Sequence, residues 1–304
     1  MADNKKKAQP TKAQQARAQQ QQAQSKRGQL RAQQAAIAAR AKRNRIIGVV
    51  VAVVVLAAIL VGLVVWQTSS NDKPAGNTSS AASFTGFKPP NGSANATYIE
   101  VKAANASADA IIVDEYFDYQ CPYCRLVDSY YGSLFRELVD RGDVVLHMHP
   151  RSFLDRGIPG NYSIKAATAA ACADTVGKFI EYHETVFANQ PAKEGDGYTE
   201  QQLRVDFPAE AGITGDNLTS FQQCYDTQKT TAYMEALEAN QVMPASSGIT
   251  DRTKWGTPDF YAYDQAKHFT TNDLLNGHKG TDGKASYSPK MTTADELLTF
   301  LKGL

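Results

Sequence analysis

Cys121 and Cys124 are separated only by Pro122 and Tyr123, and two cysteines at that spacing can cycle between dithiol and disulfide, a reversible two-electron switch. The run Ala110-Ile111-Ile112-Val113-Asp114-Glu115-Tyr116-Phe117 reads as a buried strand. Residues from Cys121 to about Asp140 read as an amphipathic helix with Leu126, Tyr130, Leu134, Leu138 and Val139 as its apolar stripe. Cys121 is therefore expected at a helix amino end, where unpaired N–H groups and the macrodipole pull a thiol below its free pKa of ~8.5. The thiolate is the attacking species, so Cys121 is the expected nucleophile and Cys124, one turn deeper, the resolving thiol. Pro122 fixes φ in the first turn, where its missing N–H costs nothing. Tyr123 brings no positive charge, which predicts a moderate oxidant, nearer roughly −200 to −230 mV than roughly −120 mV.

Glu115 lies six residues before Cys121, on the strand beneath the helix, and a carboxylate in so apolar a strand is expected to have a task. Its expected role is to relay the proton of Cys124. Asp114 and Asp118 alternate with it and are expected to be solvated.

A CxxC can also be half of a zinc site, but tetrahedral zinc needs two more ligands, usually a second close pair, and the sequence has none. His147 and His149 are expected on opposite faces of their strand, and no metal or cofactor is assigned. The other two cysteines, Cys172 and Cys224, most simply bridge two helices, and closing that span would stabilise the fold by roughly 4 kcal/mol. All four cysteines follow residue 66, which fits an oxidising compartment.

These residues need a frame. Val144 to His149 reads as a second strand, parallel to the first if the intervening helix is a crossover, and Arg141-Gly142-Asp143 ends that helix. Residues 163 to 241 read as helices over 163–174, 178–189, 199–211 and 217–241, the last with a break. Gly256 to Tyr263 looks like a strand entered through Pro258, and Thr292 to Leu301 like a capped closing helix. Residues 264–291 form a long polar stretch with uncertain strand boundaries. Strands that resume after the helices predict an α/β layer with an all-helical insertion at about 160–245.

The rest of the chain is uneven. Residues 1–45 hold twelve Lys or Arg and one acid, so the remainder carries 20 bases against 30 acids and is a poor partner for nucleic acid. Ile46 to Trp66 is uncharged and apolar, and as a helix would span ~31 Å of a ~30 Å hydrocarbon core. The basic flank Arg40, Lys42, Arg43, Arg45 predicts one membrane crossing with a cytoplasmic N-terminus and everything after Trp66 outside. A cleaved signal peptide is the alternative, but the run exceeds an ordinary h-region and no Ala-x-Ala site follows it. The basic tail, rich in Gln and Ala, reads as disordered, and residues 67–97, rich in Ser, Asn and Gly, as a tether to a folded domain over 98–304.

Glu115 to Cys124, the helical insertion and Gly256-Thr257-Pro258 together resemble the DsbA-like thiol-disulfide oxidoreductases of the thioredoxin superfamily, over about residues 98 to 304. With its anchor the chain looks most like the membrane-tethered members of Gram-positive actinobacteria. The resemblance implies a thioredoxin fold, a buried acid at Glu115 and a cis Pro258 preceded by Thr257. These two residues, with Pro122 and Tyr123, would meet an extended substrate. It further implies oxidation of reduced exported proteins in the cell envelope and recharging by a membrane quinone-linked oxidase of the vitamin K epoxide reductase type. Asp259 departs from the family pattern and is expected to repel acidic substrates or to depress oxidising power. A reductase or isomerase using the same site, or a redox-inert tethered binding or chaperone module, are the alternative readings.

Overall fold

The computed structural model describes residues 83–279 and 285–304. The expected anchor at 46–66 and the basic tail lie outside the described residues, among which no helix is long and apolar enough to cross a membrane.

A five-stranded sheet organises the domain in the order β1-β3-β2-β4-β5. Its strands are β1 (Ile99–Val101), β2 (Ile111–Asp118), β3 (Val144–Arg151), β4 (Asp259–Ala262) and β5 (Lys267–Phe269). β2 runs parallel to β3 with Glu115 opposite Met148, while β1, β4 and β5 join antiparallel. The Ile-Ile-Val start of β2 suits a central strand buried on both faces. Between β2 and β3 runs helix α1 (Pro122–Arg141), making the expected crossover. It ends at Gly142, whose φ of +81° lets its own and the next N–H cap Val139 and Leu138. A Cβ at Gly142 would meet the Asn105 carbonyl oxygen at 2.7 Å.

The buried stripe of α1 is displaced from the expected one. Cys124, Val127, Tyr131, Phe135, Leu138 and Val139 face the core. Leu126, Tyr130 and Leu134 are only partly buried, and Tyr130 meets added structure near the C-terminus. There, a short helix α7 (Thr271–Leu274) leads into a hairpin of β6 (Leu275–Lys279) and β7 (Ala285–Pro289). Tyr130 donates to the Tyr287 carbonyl at 2.9 Å, and Tyr131 to that of Leu274 at 2.5 Å. This hairpin occupies the polar stretch that the sequence left unassigned, and α8 (Ala294–Lys302), capped by Thr293, closes the chain.

The helices between β3 and β4 are α2 (Tyr162–Asp174), α3 (Phe179–Ala188), α4 (Phe207–Glu210), α5 (Gly215–Asp226) and α6 (Thr231–Asn240). The expected helix over 199–211 is present from 200 to 210, with a π-helical stretch, Gln202–Asp206, running into α4. Alanines make α2 thin enough to be buried nearly all round. Cys172 on α2 and Cys224 on α5 form a disulfide with Cα atoms 5.7 Å apart.

The folded part begins before residue 98. Phe84 packs edge-on against Tyr233 at 5.3 Å, and Asn91 donates from its backbone and side chain to Asp174 at 2.9 and 2.7 Å. Composition made residues 84–97 look like tether, but a few anchoring contacts suffice to hold so polar a segment.

Candidate active site

Cys121 is the N-cap of α1, with an extended ψ of 119°, and Pro122 opens the first turn. Both cysteines are free thiols, and both are buried, Cys121 at 7% exposure and Cys124 at 1%. Across from them, the Thr257–Pro258 peptide is cis, and the Cys121 thiol donates to the Thr257 carbonyl at 3.3 Å. The Thr257 hydroxyl is buried without another partner and favours negative charge on both sulfurs.

The two thiols are driven apart. The Cys124 thiol donating to it holds Cys121 down at about 6, helped by Thr257 and the amides of Cys124 and Tyr123, against the opposing effect of burial. Burial first, and then the hydrogen bond to Cys121, push Cys124 well above the ordinary thiol range. One sulfur can be a thiolate at neutral pH while the other keeps its proton.

That asymmetry sets a pH dependence. A Cys121 pKa depressed from 9.0 to about 6 stabilises the reduced fold fully above pH 9, and the effect is lost as pH falls through 6. Paired melting curves should therefore show the reduced form gaining on the oxidised form between pH 6 and 9, and no further change below 6. A pH-independent difference would contradict the thiolate assignment.

The loop before Cys121 is clamped by residues from the helical insertion. Gln190 donates to the carbonyls of Tyr119 and Cys121 at 2.8 and 3.0 Å, and Tyr198 donates to Tyr119 at 2.7 Å. Asp118, expected to be solvated, is completely buried. It accepts from Ser163 at 2.6 Å and from the amides of Gln120 and Leu154, and burial raises its pKa to about 7. Gln190, Tyr198 and Ser163 were missed because they lie some forty to eighty residues downstream and carry no motif.

Asp114 is also buried, on the sheet face opposite Glu115. Burial opposes its charge, but hydrogen bonds from His147 and His149 outweigh that and hold it well below the usual carboxylate range. His149 Nε2 stands 2.8 Å and His147 Nδ1 3.5 Å from Asp114 Oδ1. Residues two apart on a strand share a face, so the expectation that these histidines point apart is corrected. Asp259 is corrected too: it turns away from the sulfurs and accepts from Trp255 at 2.8 Å, Tyr261 at 2.5 Å and His268 at 2.7 Å. A carboxylate so enclosed cannot repel a substrate at the cysteines.

Glu115 is buried beneath α1, and burial raises its pKa to about 7. It hydrogen-bonds neither cysteine; its charged neighbours are His183 and Asp128. Among the described residues no group of three or more His, Cys, Asp or Glu is arranged to hold a metal ion.

Beside Cys121 a groove of about 650 Å³ is lined by Pro122, Tyr123, Leu126, Phe187, Ala188 and Tyr287. Tyr123 is half exposed at 48%, and its ring meets Tyr287 edge-on at 5.9 Å.

Residues 104–250 match the family model described as thioredoxin. The sheet order, the βαβ crossover and the CxxC at its helix start agree with that match. The described domain has a mixed α/β, thioredoxin-like fold. Among solved structures this domain is similar to the thiol-disulfide oxidoreductase MdbA of Corynebacterium diphtheriae, at 21% identity over 61% of this chain and 90% of that one, with a TM-score of 0.47. It is similar also to MdbA of Actinomyces oris, at 16% identity over 71% and 89%, TM-score 0.49, and to DsbA of Mycobacterium tuberculosis, at 21% over 57% and 84%, TM-score 0.44. No curated protein matches the chain.

Proposed function

We propose that the chain is a protein-disulfide oxidoreductase that introduces disulfides into reduced exported proteins, held at the outer face of a cell membrane by the helix expected at 46–66. The observation that carries this reading is the split between Cys121, held down at about 6, and the buried, protonated Cys124. A thiolate at the helix start makes Cys121 a good leaving group and stabilises the reduced protein, which favours passing the disulfide on.

In the oxidising direction a substrate thiolate attacks Sγ of Cys121. The Cys121–Cys124 bond breaks, a bond from Cys121 to the substrate forms, and the electron pair leaves on Cys124, which takes up a proton. A second substrate thiolate then attacks the substrate sulfur of that mixed disulfide and expels Cys121 as thiolate. The substrate is oxidised by two electrons and the CxxC reduced by two. In this reading Thr257 and Pro258 line one side of an incoming extended chain, and Pro122 and Tyr123 the other, with the groove toward Tyr287 taking an apolar side chain. Recharging is assigned to a membrane quinone-linked oxidase of the vitamin K epoxide reductase type.

The test is to equilibrate the full chain with glutathione buffers and then mix its oxidised form with a reduced, unfolded secretory protein. Disulfides should form in the substrate at the expense of the CxxC. A potential below about −270 mV with no oxidation of the substrate would reassign the site to a reductase.

A further inference from the structure

The sheet face away from α1 carries a pocket of about 270 Å³, lined among others by Tyr98, Asp114, His149, Val242, Asp264 and Gln265. That volume falls just under the range of sites for drug-sized ligands, so it suits a single group the size of a side chain. Asp114 is its fixed charge. Oδ1 of this buried carboxylate takes His149 at 2.8 Å and Gln265 at 3.2 Å, while Oδ2 is buried with no hydrogen-bond partner among the described residues. A carboxylate oxygen left unpaired in the interior is costly, and an incoming N–H would relieve it. The surrounding field is negative: burial first, and then the charges of Glu100, Asp114 and Asp264, raise the pKa of Tyr98, against Lys102 alone. That lysine is already paired with Glu100 at 2.5 Å, and no Lys or Arg stands among the described residues that line the pocket.

The turn between β4 and β5 brings two of these residues in at a cost. Tyr263, Asp264 and Gln265 have φ of +53°, +52° and +65°, and the Ala266 amide closes the turn on the Tyr263 carbonyl at 3.1 Å. A left-handed turn of this kind ordinarily takes Asn-Gly, because side chains resist positive φ. Here neither central position is Gly, and both side chains are used. Gln265 reaches Asp114 and also donates to the Tyr116 hydroxyl at 3.0 Å, while Asp264 stays exposed at the rim. Backbone strain of this kind clusters at ligand sites. Val242, 74% exposed, adds an apolar wall that a methylene stem can cover. We propose that this pocket binds a guanidinium or ammonium group, carried by a basic side chain of a partner or by a free small amine, with Asp114 and Asp264 as its carboxylates and the Tyr98 ring as its aromatic contact. No step of disulfide exchange runs through the pocket, so the site stands apart from the reading of the CxxC.

The test is calorimetric titration of the full chain with N-acetylarginine amide and with N-acetylcitrulline amide, its uncharged counterpart. The arginine compound is expected to bind, and to bind at least about tenfold more tightly than the citrulline one. Asp264→Asn removes a charge at the rim and leaves a residue that tolerates positive φ, so the variant is expected to fold. It should weaken the arginine compound about tenfold, with disulfide exchange at Cys121 unchanged. A capped pentapeptide with a central arginine separates the two sources. Tighter binding than the single residue assigns the cation to a partner chain, and binding no tighter assigns it to a free small amine; either result supports the site. Equal binding of the arginine and citrulline compounds, no binding of the arginine compound at about 10 mM, or an affinity unchanged by Asp264→Asn overturns the proposal.

Discussion

Cys121→Ser is expected to abolish substrate oxidation, by on the order of 10³-fold or more, while Cys124→Ser, which can form no Cys121–Cys124 bond and so oxidises nothing either, keeps the thiolate that attacks a disulfide-bearing partner and stalls at the adduct. The two outcomes differ because the two sulfurs do. Cys121, at the helix start with its pKa lowered to about 6, is the only one of the pair that is a thiolate at neutral pH. Cys124 is buried deeper and pushed up, so its task is intramolecular: it is the leaving sulfur when a substrate is oxidised and, in the reverse direction, it attacks a bond already made to Cys121 and releases the partner. Without Cys124 that bond has no internal attacker. The full chain carrying Cys124→Ser, incubated with exported proteins bearing disulfides or activated thiols, should gain mass as a covalent adduct that dithiothreitol removes. Capture by Cys121→Ser in place of Cys124→Ser would reverse the assigned roles. Capture by neither would leave a thioredoxin-like frame around an inert pair.

The CxxC and its setting were legible because the features that define them are local. A run of β-branched residues, a Cys-Pro at a helix start and a Gly at the helix end each act over a few residues, and the structure has β2, α1 and Gly142 in those places. What composition hid was set by neighbours distant in sequence. Asp114 and Asp118 looked solvated because carboxylates rarely enter a sheet, but His149 and Ser163 supply the partners that burial demands. Asp259 looked like a charge at the substrate face because it follows Pro258. One residue of strand alternation turns it to the opposite side, where Trp255, Tyr261 and His268 enclose it. The stripe on α1 shifted by a residue because Tyr130 had a second surface to meet, the hairpin carrying Tyr287. No periodicity within α1 announces that hairpin.

The helical insertion that supplies Gln190, Tyr198, Ser163 and His183 to the site must itself be held, and replacing both Cys172 and Cys224 by Ala is expected to weaken it severely. The bridge closes a span of 52 residues, and constraining a loop of that length in the unfolded chain contributes about 4 kcal/mol in the chain-entropy model. For a domain of this size that corresponds to a melting point lower by roughly 8 to 16 °C. Both cysteines must be changed together, since a single change leaves an unpaired thiol free to enter disulfide exchange. The native packing changes little, because Cys172 lies among the alanines of α2 and the Thr230 hydroxyl, 3.4 Å from its sulfur, also donates to the Thr168 carbonyl. The lost stability should therefore come with a larger m-value in urea, the sign of a more expanded unfolded chain, and with the exchange rate per folded molecule unaltered. A loss below about 1 kcal/mol would mean that α2, α5 and α6 already hold one another by burial, and that the bridge guards only against slow opening.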